Sequence, residues 1–253
     1  MMIFAKKILG LCLLVLSLTA TSPVLAGMED NLSEKQRQEI EKIVHQYIMD
    51  NPRVILDAVA RLQAREEASK EEQAKATLTS SREILNNDPD SPVGGNPNGD
   101  VTIVEFFDYR CGYCKKVHPS VKKIIESDKN VRFVYKEFPI LGPQSVTATK
   151  AALAVSRIDA SKYQTYHDIL MTARGSLTKS QVLKLAAEAG IDANAVAKEM
   201  DSPEIEKIIR KNYDLAQSLN INGTPAFVIG NELIPGAADY ATLKNLISKA
   251  RGS

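Results

Sequence analysis

The chain has 253 residues, with 32 Lys or Arg, 31 Asp or Glu and a formal net charge of +1. So even a balance argues against nucleic acid or an anionic surface as the partner, and the length suits one fair-sized domain with an appendage. Three cysteines, one of them close to the N-terminus, are too few for a structural disulfide framework.

In chain order the first element is a targeting segment. Lys6 and Lys7 form a short basic region, Ile8 to Leu18 an apolar core, and Val24-Leu25-Ala26 a small-x-small site. Residues 1–26 therefore read as a signal peptide cleaved after Ala26, too short for a membrane-spanning helix. Cys12 follows Leu11 rather than a small residue, which argues against a lipoprotein anchor. Cleavage leaves only Cys111 and Cys114, both in one C-x-x-C, in an exported and soluble protein. In that setting the pair is expected to react rather than to staple the fold.

Residues 27–87 read as a charged helical segment. Ser33 with Gln36 makes a capping box, and Ile40, Ile43, Val44, Tyr47 and Ile48 mark one apolar face at helical spacing. Asp50-Asn51-Pro52 interrupts the pattern, with Asn51 placed to cap a second helix and Pro52 in its first position. Val54, Ile55, Ala58, Val59 and Leu62 continue a stripe that fades from Arg65 to Lys75, where Glu66 with Lys70 and Glu71 with Lys75 can pair at i,i+4. Two short striped helices and a solvated arm make no core alone. The segment is therefore expected to join copies of the chain, as a homodimer or a trimer, with packing onto the main domain as the alternative.

Asn86 to Gly99 is rich in turn formers and marks the boundary of a second domain, 88–253. Val101–Phe107 reads as a strand, a helix opens at Cys111 or Gly112 and runs to about Ser127, and Val131–Phe138 is a second strand. From about 143 to 220 the pattern is nearly all helical, with starts at Thr178, Asp192 and Ser202-Pro203. Ala226–Ile229 and Glu232–Ile234 read as a hairpin turning at Gly230-Asn231, and Tyr240–Lys249 as a final helix. This order gives the α/β class, with a helical insertion after the second strand.

The chemistry concentrates at Cys111-Gly112-Tyr113-Cys114, where a strand delivers two cysteines to the first turn of a helix. A helix N-terminus stabilises a thiolate, which is the species that attacks disulfides. C-x-x-C is also a metal pattern. Only His45, His118 and His167 are available to extend it, and His118 lies four residues after Cys114. A Cys111/Cys114/His118 soft-metal site is thus an alternative, although His118 reads more simply as a semi-exposed helix residue. His45 and His167 read as surface or interface residues. Glu105, six residues before Cys111 in an apolar run, is a half-buried carboxylate that can take up and deliver protons, with Lys136 on the neighbouring strand as its companion. Its plain alternative is a solvent-side strand residue. Pro119 lies inside the helix and should kink it. Thr224-Pro225 at the hairpin entrance is a candidate cis bond, or simply a turn.

With Glu105, Pro119 and Thr224-Pro225 in these relations to the cysteine pair, the chain resembles the thioredoxin fold. The long separation of Cys114 from Pro225 is similar to the DsbA-like branch, whose helical insertion sits at this point. Phe106-Phe107-Asp108-Tyr109-Arg110-Cys111-Gly112-Tyr113-Cys114-Lys115, Gly223-Thr224-Pro225-Ala226-Phe227-Val228-Ile229-Gly230 and the helical segment with Asn51-Pro52 resemble the Com-one/ScsC-like subgroup. Members of that subgroup oligomerise through the N-terminal segment. Gly112-Tyr113 and Thr224 also resemble the active-site loops of the disulfide isomerase DsbC. The resemblance implies Cys111 as nucleophile and Cys114 as resolving thiol, with no cofactor beyond their redox-active disulfide and no metal. It implies client binding at Thr224 and Pro225, proton handling by Glu105, and a potential tuned by Gly112 and Tyr113. It further implies a periplasmic enzyme of a Gram-negative bacterium, free or associated with the outer membrane, that isomerises and also forms disulfides in exported clients. Its redox partner would be a membrane protein of the DsbD or DsbB type. A simple DsbA-type oxidase and a copper-binding or copper-tolerance protein are the alternatives.

Overall fold

The computed structural model describes residues 32–252, so the signal peptide assigned to 1–26 lies outside the described residues. The chain forms two compact units that divide between Leu62 and Gln63. In the first, helix α1 (Glu34–Asp50) starts at the expected capping box, the Ser33 N–H donating to Gln36 Oε1 (2.9 Å) and the Gln36 N–H to Ser33 Oγ (3.4 Å). Asn51 closes this helix rather than opening the next, because its side-chain amide donates back to the Tyr47 carbonyl (3.0 Å). No residue of α1 is buried, and Ile40, Ile43, Val44 and Tyr47 of its stripe are exposed, as are Val54, Ile55, Val59 and Leu62 further on.

Helix α2 (Arg53–Ser80) spans the division. The short helix and solvated arm expected here are one helix, since residues 65–75 contain no Pro or Gly and are mostly strong helix formers. Of the two expected ion pairs, Lys75 Nζ to Glu71 Oε1 forms at 2.6 Å. Among the described residues no helix is long and apolar enough to cross a membrane.

The second unit is built on a five-stranded mixed sheet of order β1-β3-β2-β4-β5. Its strands are β1 (Val93–Gly95), β2 (Val101–Phe107), β3 (Val131–Glu137), β4 (Ala226–Ile229) and β5 (Glu232–Pro235). β2 and β3 are parallel and the other pairs antiparallel. β1 falls within the stretch read as turns, because two of its three residues are glycines with little strand propensity. Packing requires them: a Cβ on Gly94 would lie 2.7 Å from Gln164 Oε1, and Gly95 has φ +68°.

Register decides which side chains meet. Glu105 stands opposite Tyr135 and Phe227, whereas Phe106 stands opposite Lys136 and Ala226. Strand side chains alternate between faces, so Ile103, Glu105, Phe107, Phe133, Tyr135 and Phe227 share one face, and Val104, Phe106, Val134, Lys136 and Val228 the other. The first face packs in one core with α4 (Gly112–Ser127), α5 (Pro143–Ile158), α6 (Ala160–Thr172), α7 (Lys179–Glu188), α8 (Ala193–Glu199) and α10 (Tyr240–Arg251). The second face packs with α3 (Arg82–Asn86), Leu78 of α2, and Leu215 and Ala216 of α9 (Pro203–Ser218). The insertion follows its sequence signals closely: Thr178 Oγ1 accepts from the Gln181 N–H at 3.3 Å, Asp192 caps α8, and Pro203 opens α9.

Candidate active site

β2 ends at Phe107, and four residues turn the chain into α4. Asp108 makes that turn. Its carboxylate is fully buried and accepts hydrogen bonds from the Arg110 N–H (2.7 Å), the Leu141 N–H (3.0 Å) and Ser145 Oγ (2.8 Å). Its carbonyl accepts from the Cys111 N–H at 3.0 Å. One buried carboxylate therefore fixes the cysteine loop to the start of the insertion. A charged residue directly after an apolar strand, three before a cysteine, is an Asx-turn signal that Asp108 carries in the sequence.

Cys111 is the N-cap of α4, and its sulfur accepts the Cys114 N–H at 3.4 Å. The same sulfur donates to the carbonyl oxygen of Thr224 at 3.2 Å, and the Thr224–Pro225 bond is cis. The two thiols are free; Cys111 is 6% exposed and Cys114 0%. Burial pushes the Cys114 thiol far above the ordinary range, and the nearby Glu105 carboxylate pushes it further. Gly112 and Tyr113 are exposed on the rim, and a Cβ on Gly112 would meet nothing. Pro119 lies inside α4.

Glu105 sits beneath the pair on the same sheet face as Phe107. Burial and the proximity of Cys111 raise its carboxyl to about 8. It is a core residue rather than a solvent-side one. Lys136 is not its companion. It faces the opposite side of the sheet, fully buried, where its ammonium donates to Asp88 Oδ2 and the Ile84 carbonyl, both at 2.8 Å. The one-residue offset between Glu105–Tyr135 and Phe106–Lys136 settles this.

The histidines also differ from expectation. His118 is buried and turned toward α6, with Nε2 3.3 Å from Asp168 Oδ1. His167 is 1% exposed, in an aromatic cage of Phe107, Tyr109, Tyr135 and Tyr163. Its Nδ1 lies 3.1 Å from Tyr109 Oη, whose hydroxyl donates to Glu137 Oε1 at 2.9 Å. His45 is exposed as expected. Lys115 Nζ donates to the Ala173 carbonyl (2.7 Å) at the end of α6. Lys115, His118 and Lys122 thus line one face of α4 against α6. The structure joins Cys111, Cys114, Glu105 and Thr224-Pro225 at one place, and leaves Lys136 and the side-chain contacts of His118 elsewhere.

The chain matches the family model of the DsbA-like thioredoxin domain over residues 102–248, and that of the copper resistance protein ScsC N-terminal domain over residues 36–69. It is similar to the solved structure of a thioredoxin-like oxidoreductase from Silicibacter pomeroyi DSS-3, with 42% identity, TM-score 0.65, and coverage of 68% of this chain and 98% of that one. ScsC of Proteus mirabilis in a transitional conformation is similar at 30% identity and TM-score 0.65, covering 87% of this chain and 99% of that one. Disulfide bond formation protein D of Bacillus subtilis shares 27% identity over 168 residues, which is 62% of this chain and 76% of the relative. The first curated relatives are sodium–proton antiporters of Salinispora species, of whose length the chain spans 25% and 28%.

Proposed function

The chain belongs to the DsbA-like thioredoxin-domain family and carries an N-terminal segment of the ScsC kind, and on that premise we propose that it is an exported thiol–disulfide oxidoreductase whose main work is disulfide isomerisation. The observation that carries this reading is the placing of Cys111 Sγ at a helix N-terminus, 3.2 Å from the Thr224 carbonyl and above a buried, protonatable Glu105.

Cys111, as thiolate, attacks one sulfur of a client disulfide; a new S–S bond forms, and the other client sulfur leaves as a thiolate and takes a proton from solvent. In isomerisation that client thiolate, or another, attacks the client sulfur of the mixed disulfide, and Cys111 leaves again as thiolate with no net electron transfer. In the alternative exit Cys114 gives its proton to the Glu105 carboxylate and attacks Cys111 Sγ. The client leaves reduced and a Cys111–Cys114 disulfide forms. Thr224 and Pro225 hold the client backbone as an added strand, and the exposed Gly112-Tyr113 sets access and potential. No cofactor beyond the cysteine pair is required.

The exposed stripes of α1 and α2 support assembly of two or three copies through residues 27–87, which would bring several active sites to one client at high effective concentration. The enzyme would work in the periplasm of a Gram-negative bacterium, free or associated with the outer membrane. A membrane partner of the DsbD type would keep it reduced. Residues 1–26 as signal peptide and 88–253 as catalytic domain complete the organisation. The match to the DsbA-like domain supports a second reading, an oxidase recharged by a DsbB-type partner. The copper reading loses its nitrogen ligand, since among the described residues His118 groups with His167 and Asp168 rather than with Cys111 and Cys114. Refolding of a scrambled-disulfide substrate tests the main reading: the wild-type chain should restore activity, and Cys111→Ser should not while keeping its fold. Full activity in that variant would refute it.

A further inference from the structure

One cluster plays no part in the thiol chemistry. His118 on α4 and His167 and Asp168 on α6 place one nitrogen each and a carboxylate oxygen within 4.8 Å of one another. The three side chains come from the two helices whose packing holds the active-site helix to the insertion. His118 and His167 are both buried, while Asp168 reaches solvent in part.

The surroundings prepare these groups as ligands. Tyr109 Oη donates to Glu137 Oε1, so its lone pair is free to accept from His167 Nδ1–H. That bond fixes the tautomer and leaves the Nε2 lone pair of His167 for a ligand. A hydrogen bond from the other ring nitrogen to an outer-shell acceptor is what orients metal-binding imidazoles. Lys122 occupies Oδ2 at 2.9 Å, and Gln164 Nε2 and His118 meet Oδ1.

We propose that His118, His167 and Asp168 bind one divalent transition-metal ion of the zinc type, clamping α4 to α6. Two imidazoles and one carboxylate select borderline ions such as Zn(II), over Ca(II) or Mg(II), which want oxygen only, and over Cu(I), which wants sulfur. The ion replaces the proton that His118 Nε2 shares with Asp168 Oδ1, and solvent completes its coordination on the Asp168 side. The site is separate from the thiols, so it is tested without them.

Zn(II) is titrated into the Cys111→Ser/Cys114→Ser chain by calorimetry, and into the same chain carrying His118→Gln or Asp168→Asn. One ion per chain should bind, and each added substitution should weaken binding by about tenfold or more. Absent binding in the double-serine chain, or binding unchanged by either substitution, would overturn the site. The histidine ring NMR signals of the double-serine chain give a check that needs no further variant. Of the three histidines, His118 and His167 should shift on adding Zn(II) and His45 should not; a shift of His45 alone would also overturn it.

Discussion

Cys111 Sγ lies 3.2 Å from the carbonyl oxygen of Thr224, a residue 113 positions away in the chain. A client strand that paired with Thr224 would therefore present its sulfur to Cys111 rather than to Cys114, which is fully buried. The two cysteines should fail differently. Cys114→Ser should accumulate mixed disulfides with clients, seen as reducible adducts on gels, whereas Cys111→Ser should form none. Adducts in both variants, or only in the second, would reverse the assignment.

Glu105 and Glu137 are both raised to about 8, from an ordinary 4.5, chiefly by burial. Between those values the folded chain binds more protons than the unfolded one. Stability is then fully present below the unfolded value and falls as pH rises through the folded one. Urea unfolding should show a loss of order a few kcal/mol between about pH 5 and about pH 9. Glu105→Gln should flatten part of that slope and slow the Cys114-dependent release of mixed disulfides by about a hundredfold. An unchanged slope and an unchanged release rate would remove Glu105 from the mechanism.

Asp88 anchors the opposite face of the sheet. Although burial raises its carboxyl, hydrogen bonds from Lys136 and Lys211 bring it down to about 2. Removing one partner of a buried pair leaves the other charge stranded. Asp88→Asn should cost about 3 kcal/mol in urea unfolding and leave the thiol-exchange rate of the folded chain unchanged. A large change in that rate would tie Lys136 to the thiols after all.

Deleting residues 28–75 removes the exposed stripes and stops short of Leu78, which is buried in the second sheet-face core. The truncated chain should stay folded and run as a monomer in sedimentation, with isomerisation lost and simple oxidation kept or raised. Isomerisation at the full rate in a monomer would separate assembly from activity.

Most of the catalytic unit was legible because its signals are local. Alternating and apolar runs name β2 and β3, caps at Thr178, Asp192 and Ser202 name three of the insertion helices, and Glu105 stands out as a carboxylate in an apolar strand. What failed depended on contacts between distant segments. β1 is invisible because Gly94 and Gly95 are chosen by Gln164, Tyr135 and the backbone of Val131 rather than by strand propensity. Lys136 looked like a neighbour of Glu105 because both lie on adjacent strands; register places them on opposite faces. His167 looked like a surface residue because nothing nearby in sequence shows the ring of aromatics that closes over it. Asn51 was misplaced by one helix, since the same side chain can cap a start or close an end.

As an isomerase the protein would keep Cys111 as a reduced nucleophile for client disulfides. Trapping the thiols of living cells by acid quench and alkylation measures this directly, because each modified cysteine shifts the mass of the chain. Cys111 and Cys114 should be mostly alkylated, hence reduced, at steady state. A pair found mostly as the unreactive disulfide would contradict it and make the protein an oxidase.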